Sequence, residues 1–248
     1  MKQILPKSLA TLGIILLAFG LWLGLAYPPA ELRAPSKAVT TANVKATPQV
    51  TPQPKTIVVG IQPLGQVPQQ YLTATAEALH DLYGATTRQL APRDLPQTTW
   101  NHAHTRYRAA DIVRRLEADK EVGLTHVMGV TEADISTQIS LTSDWGVFGL
   151  AQRNSSGAVI STFRIKLDNP PPTLFLARLR KVVLHEFGHN LGLDHCTHSP
   201  TCLMRSTEGN MQALDTAEAA LCDKCAAQIS NRTHSSTATT STTTLTNY

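Results

Sequence analysis

Short β-branched runs alternate with helical stripes from residue 56 onward. Residues 56–61 (TIVVGI) are a compact apolar run, which predicts a buried strand. Across residues 69–83, Leu72, Ala76, Leu79 and Tyr83 recur at helical spacing, and Gly84 supplies the stop. Residues 85–92 read as a second strand and residues 94–104 as irregular chain. Residues 105–120 read as a helix with Ala109, Ile112, Val113 and Leu116 on one face and Arg108, Arg114 and Arg115 on the other. Residues 122–130 (VGLTHVMGV) predict a third strand, and Thr131, Glu132, Ala133 and Asp134 turn the chain. Residues 146–152 are a fourth strand candidate. The turn signal at residues 154–157 (NSSG) then returns residues 158–165 as a fifth. Three prolines, 170–172, open a long helix whose apolar side carries Leu174, Leu176, Leu179, Val182, Val183 and Phe187. The order β-α-β-α-β-β-β-α predicts an α/β or α+β domain.

The pattern breaks down at both ends. Lys2 and Lys7 precede residues 9–26, eighteen residues without a charge. This segment is long for a signal h-region, about 7–15 residues, and short for a spanning helix, about 20. It reads as either a signal peptide, with Gly24 and Ala26 at cleavage positions, or a retained membrane anchor, over residues 1–27. The basic N-terminus favours an exported or externally anchored domain. Residues 28–55 form a Pro/Thr-rich linker, residues 56–229 the domain, and residues 230–248 a Ser/Thr-rich tail with no apolar face, expected to be disordered. A composition 42% hydrophobic suffices for one real core, and the net charge of +4 is spread thinly, so nucleic acid is excluded as a partner.

The long helix ends in His185-Glu186-Phe187-Gly188-His189-Asn190-Leu191-Gly192-Leu193-Asp194-His195-Cys196, which reads H-E-x-x-H-x-x-G-x-x-H-C. Two histidines four residues apart on a helix project from one face, so both imidazoles can reach one metal ion. Gly192 can take positive φ and release the chain from the helix, which returns His195 as a third ligand. Three histidines and one open position describe a catalytic rather than a structural zinc site. Glu186 is placed beside the metal, where a general base for water belongs. Asp194 is a candidate acceptor that orients a ligand histidine.

The four cysteines of the chain all follow. Cys196, Cys202, Cys222 and Cys225 with Met204 read C-x5-C-x-M-x17-C-x-x-C. Two close pairs outline a tetrahedral S4 site; outside the cytoplasm they can instead form two disulfides.

This combined pattern resembles the archaemetzincins, whose signature is H-E-x-x-H-x-x-G-x-x-H-C-x4-C-x-M-x17-C-x-x-C. Every ligand type and the x17 gap match. The chain departs in one place: five residues, 197–201, separate the first two cysteines where the family has four. The resemblance implies a metzincin-like fold: a twisted, mostly parallel sheet with an antiparallel edge strand, a long active-site helix and a small Cys-rich C-terminal subdomain. It implies two Zn²⁺ per chain, one catalytic on His185, His189 and His195, one structural on Cys196, Cys202, Cys222 and Cys225. It places Met204 in a Met-turn beneath the catalytic metal. It also implies that the edge strand through Gly146, Val147, Phe148, Gly149 and Leu150 takes a peptide as an added strand.

The expected function is therefore a zinc-dependent peptidase with Glu186 as its base, acting as a monomer on peptide or protein substrates. The alternative is an exported zinc-bearing module that binds peptides and cleaves them poorly. Glu186 argues against that alternative, because a pure scaffold has no chemical need for it.

Overall fold

A computed structural model describes residues 56–103, 105–140 and 143–235. The N-terminal segment, the linker and residues 236–248 lie outside the described residues. Strand β1 (Val58–Leu64) leads through helix α1 (Gln69–Tyr83) to β2 (Thr86–Gln89). Two short strands follow, β3 (Trp100–Asn101) and β4 (Arg106–Arg108), and then helix α2 (Ala109–Ala118). Next come β5 (His126–Thr131), β6 (Ile135–Ser140), β7 (Ser143–Val147), β8 (Gly149–Ala151) and β9 (Gly157–Ser161). Helix α3 (Pro172–Asn190) is followed by α4 (Met211–Thr216) and α5 (Asp223–Ser235).

The main sheet has the order β2-β1-β5-β9-β8. Its first four strands are parallel, and β8 closes it antiparallel to β9. Alternation along each strand sorts side chains to two faces. Val59, Ile61, Met128, Val130, Ala158 and Ile160 join the core beneath α1 and α3. Leu64, Val127 and Val159 join a second core against α2, with Ile112, Val113 and Leu116. Helices thus cover both faces, as a parallel sheet requires.

The fold departs from the sequence reading in several places. Residues 135–140 and 143–145, unassigned by pattern, lie with 146–147 in the antiparallel pair β6 and β7 of a second sheet of order β3-β4-β6-β7. Ile135 is its only fully buried apolar anchor among the described side chains, so the alternation that marks a half-buried strand is weak there. The helix expected from residue 105 begins at Ala109, because the backbone at Tyr107 and Arg108 pairs with β6 instead. Asp134 holds the junction of the two sheets, accepting from Arg106 at 2.9 Å and from Arg164 at 2.8 and 2.9 Å. The strand expected over 146–152 is divided at Phe148, whose ring turns into the main core. Gly146 and Val147 therefore end β7 in one sheet, while Gly149 and Leu150 begin β8 in the other. At the far end α5 runs on to Ser235, into the stretch assigned to the tail. Ile229 packs against the cysteine cluster and anchors that extension.

Helix α3 also differs in its buried face. Leu176 is exposed and Arg178 is buried, 2% accessible. Arg178 forks onto Asp168 (2.6 and 2.7 Å) and Asp215 (2.7 Å twice), tying α3 to α4 and to the turn before α3. The burial of a charge here is made tolerable by two bidentate carboxylate partners.

Candidate active site

Helix α3 delivers His185 and His189 one turn apart. It stops in a six-residue C-terminal motif: the Leu193 N–H donates to the Gly188 carbonyl at 3.0 Å and the Gly192 N–H to the His189 carbonyl at 2.8 Å. Gly192 takes φ 93°, which satisfies two carbonyls that the helix end leaves open. The reversal carries His195 back. Its ring centroid lies 5.4 Å from that of His185 and 4.9 Å from that of His189.

The ligand atoms of the three rings lie within 4.8 Å of one another. The Nε2 atoms of His185 and His189 are 3.1 Å apart. Tetrahedral zinc with Zn–N bonds of about 2.0–2.1 Å sets its nitrogens roughly 3.4 Å apart. The far ring nitrogens are tied down as well. Nδ1 of His185 faces the Leu203 carbonyl and Nδ1 of His189 the Leu193 carbonyl, both at 2.8 Å. Donation at Nδ1 leaves the Nε2 lone pair as the free ligand, the arrangement metal-binding histidines adopt. Burial, with His189 close by, depresses the pKa of His185 to about 3, and burial also depresses that of His189. Both rings are therefore neutral and ready to ligate at physiological pH. The donor set fits zinc.

Asp194 does not orient a ligand histidine. It is exposed and ion-paired with Arg153, while a backbone carbonyl takes the role at His189.

Glu186 lies inside the same cavity wall. Burial raises its pKa to about 8, opposed by a hydrogen bond from the Ala151 N–H. Strand β8 crosses directly over this carboxyl: a Cβ on Gly149 would sit 2.7 Å from Cγ and 2.9 Å from Oε1 of Glu186. Phe148 and Leu150 face β9, since the Ser161 N–H donates to the Phe148 carbonyl at 2.8 Å and Leu150 pairs with Val159. Alternation then turns the main-chain groups of Gly149 and Ala151 to the outer edge.

A cavity of about 570 Å³ collects these parts. Its lining includes His185, Glu186, His189 and His195 on one side and Trp145, Gly146, Val147, Phe148, Gly149 and Leu150 on another. The whole edge segment read from the sequence thus borders the histidine site. The lining also holds groups that pattern reading missed: Lys181, Leu214, Ala217 and the turn from Ser206 to Gly209. Lys181 lies four residues before His185, so helical spacing could have found it. The 206–217 wall is brought in by the chain reversal after Cys202 and carries no local signal.

The four cysteine sulfurs also lie within 4.8 Å of one another. Cys196 Sγ is 3.7 Å from Cys222 Sγ, and Cys202 Sγ 3.8 Å from Cys225 Sγ. A tetrahedron with Zn–S bonds of about 2.3 Å has sulfur–sulfur edges of roughly 3.8 Å, whereas a disulfide needs about 2.05 Å. The His198 N–H donates to Cys196 Sγ and the Cys222 N–H to Cys202 Sγ, each at 3.4 Å. Burial opposes ionisation of Cys196, but N–H groups of His198 and Ser199 and the neighbouring thiols outweigh it and bring its pKa to about 7. The extra residue among 197–201 is absorbed in a turn, and the His198 side chain faces solvent. Met204 is fully buried among Leu193, Cys196, Cys202 and Cys225. Its sulfur lies against Gly188, between the two helical histidines, where no Cβ would fit.

A family model described as "Peptidase family M54" matches residues 89–231, more than half of the chain. An archaemetzincin from Haloquadratum walsbyi is 30% identical over 177 residues, 68% of this chain and 97% of that protein. The chain belongs to the archaemetzincins. It is a zinc metallopeptidase of that family. A second archaemetzincin, from Archaeoglobus fulgidus, is 31% identical over 169 residues, 68% of this chain and 96% of that one. The crystal structure of the Archaeoglobus fulgidus archaemetzincin complexed with malonate superposes with a TM-score of 0.59 at 28% identity, covering 69% of this chain and 99% of that chain. The archaemetzincin of Methanopyrus kandleri, at 22% identity, shares the fold with a TM-score of 0.64 over 75% of this chain and 99% of that chain. The residues matched by the family model take in β5, β8 and β9 of the main sheet, α3 and the cysteine-rich segment. No helix among the described residues is long and apolar enough to cross a membrane; residues 9–26 are outside them.

Proposed function

We propose that His185, His189 and His195 hold the catalytic zinc of this peptidase and that Glu186 is its general base. The observation that carries this reading is the convergence of three imidazoles, with ligand atoms within 4.8 Å of one another, and one buried carboxyl on a single cavity. Zinc, when bound, polarises the scissile carbonyl, acidifies the attacking water, and by its charge favours the ionised form of Glu186. The substrate lies along β8 as an added antiparallel strand, using the outward main-chain groups of Gly149. That strand covers the site and keeps bulk water from it. Glu186 Oε accepts a proton from the attacking water and passes it to the departing amine nitrogen. The chain has no tyrosine between Met204 and Tyr248.

The four cysteines hold a second, structural zinc in this reading, supported by sulfur separations near tetrahedral edges and by N–H groups aimed at the sulfurs. That site staples the loop carrying His195 and Met204. Residues 9–26 direct the domain out of the cytoplasm, a reading supported by their uncharged run behind Lys2 and Lys7.

The test is cleavage of a mixed peptide library by zinc-loaded wild type, by Glu186→Gln, and by wild type with chelator. Cleavage confined to the untreated wild type, with zinc still bound to Glu186→Gln, is expected. Hydrolysis by a zinc-loaded Glu186→Gln protein would remove Glu186 from the base role. Zinc-loaded wild type that binds library peptides and cleaves none would favour the binding-module alternative.

A further inference from the structure

Among the described residues Lys181 is the one lysine or arginine in the lining of the active-site cavity. It stands one helical turn before His185, on the same face of α3. Its ammonium donates to the carbonyls of Leu214 (3.0 Å) and Asp215 (2.9 Å). Both acceptors are neutral backbone groups near the end of α4, and an ammonium has three donors. The nearest acid is already spent: both Asp215 oxygens accept from Arg178, at 2.7 Å each. Among the described residues Lys181 forms no ion pair. The lining from α3 and residues 203–217 supplies the apolar Val182, Leu203, Leu214 and Ala217 together with Ser206 and Thr207. The other carboxylates of the lining are Glu186, buried beneath β8, and Glu208, on an exposed turn. Burial and the neighbouring Arg178 hold the pKa of Lys181 below the ordinary lysine range, against the pull of Asp215. A partly desolvated ammonium bonded only to neutral carbonyls, with no carboxylate of its own, gains from an anion that enters with the substrate.

We infer that Lys181 makes the pocket between α3 and residues 203–217 a carboxylate-recognising subsite of the peptidase. The occupant is a carboxylate next to the scissile bond, from an acidic side chain or from the C-terminus of the peptide. The apolar walls take the methylenes that carry it. The ammonium keeps its two bonds to α4 and gives the third to the ligand.

This rests on the peptidase reading of the site, and the test separates the two. Zinc-loaded Glu186→Gln protein is titrated with fluorescent peptides in which one Glu is walked through each position. Each peptide is paired with its Gln counterpart, with free and with amidated C-termini. A charge-assisted hydrogen bond predicts about 10-fold tighter binding of a Glu peptide than of its Gln partner at one position, or of a free over an amidated C-terminus. A side-chain preference marks internal acidic residues as the occupant; a terminal preference marks a carboxypeptidase mode. The preference ratio falls to about 1 in Lys181→Met and persists in Lys181→Arg. Equal affinity for every pair, or no binding of any peptide, overturns the inference, as does a preference that Lys181→Met leaves intact. Cleavage by wild type without charge preference removes this subsite and leaves the peptidase standing. Binding preference without cleavage does the reverse.

Discussion

Gly149→Ala tests how closely β8 and the Glu186 carboxyl must fit. The backbone at Gly149 is ordinary strand, so alanine meets no conformational penalty there. Its Cβ, however, would lie 2.7 Å from Glu186 Cγ, 3.0 Å from Cδ and 2.9 Å from Oε1. Carbon atoms in comfortable contact are about 3.5–4.0 Å apart, so the overlap is roughly 0.8 Å. Strand β8 is held by its pairing with β9, and Glu186 sits between the buried Leu184 and Phe187 on α3. The strand is the stiffer of the two, so the Glu186 side chain gives way and its carboxyl shifts by most of that overlap. A misplacement near 1 Å at a reacting group costs on the order of 10²-fold, equivalent to about 2.7 kcal/mol of transition-state stabilisation. The assay is kcat/KM on a cleaved library peptide, with zinc content from native mass and Tm from thermal unfolding. Activity should fall about 100-fold while zinc stays bound, because no histidine is touched. A variant with full zinc occupancy and kcat/KM within twofold of wild type would refute the placement of Glu186 as the proton-transferring group.

In the metal-free protein, Glu186 has a pKa raised from 4.5 to about 8. The folded state therefore keeps a proton that the unfolded state has released, so this contribution is full below pH 4.5 and is lost as pH rises through 8. The stability of metal-free wild type relative to Glu186→Gln, read from urea midpoints, should decline across that window, and a flat difference would contradict it. His185, depressed to about 3, works the other way: its contribution is full above pH 6.5 and is lost as pH falls toward 3. Arg178→Met should lower Tm by roughly 5 °C or more, because it leaves Asp168 and Asp215 facing each other without their shared cation; an unchanged Tm would show that the fork is incidental. Cys225→Ser should lose one zinc by native mass and weaken the remaining one by about 10-fold or more in chelator competition. The reason is that Leu203, whose carbonyl orients His185, lies between Cys202 and Met204. Retention of both ions would remove the cysteines from metal binding.

The sequence by itself determined the histidine centre. The i, i+4 spacing of His185 and His189, the glycine at 192 and the third histidine at 195 act within eleven residues, and helix periodicity and a left-handed cap are local properties of the chain. It determined most of the main sheet for the same reason, since the β-branched runs and the stripes of α1 and α2 record which face is buried. The positions of the four cysteines announced a cluster, although their closeness in space depends on residues 222–225 returning to the loop after His195. Tertiary structure alone decided the rest. The β6–β7 pair carries too few buried apolar residues to show a period. The break at Phe148 arises because one ring has a core to enter. Arg178 looks like a surface residue until Asp168 and Asp215 arrive from outside its helix. The carbonyls of Leu203 and Leu193 and the N–H of Ala151 have no side-chain signature. Lys181 became a wall of the active site only when α4 was folded against α3. Periodicity is written in neighbouring residues, whereas burial of a charge, closure of a cavity and the choice of a backbone partner are set by segments distant in the chain, whose meeting depends on the whole packed fold.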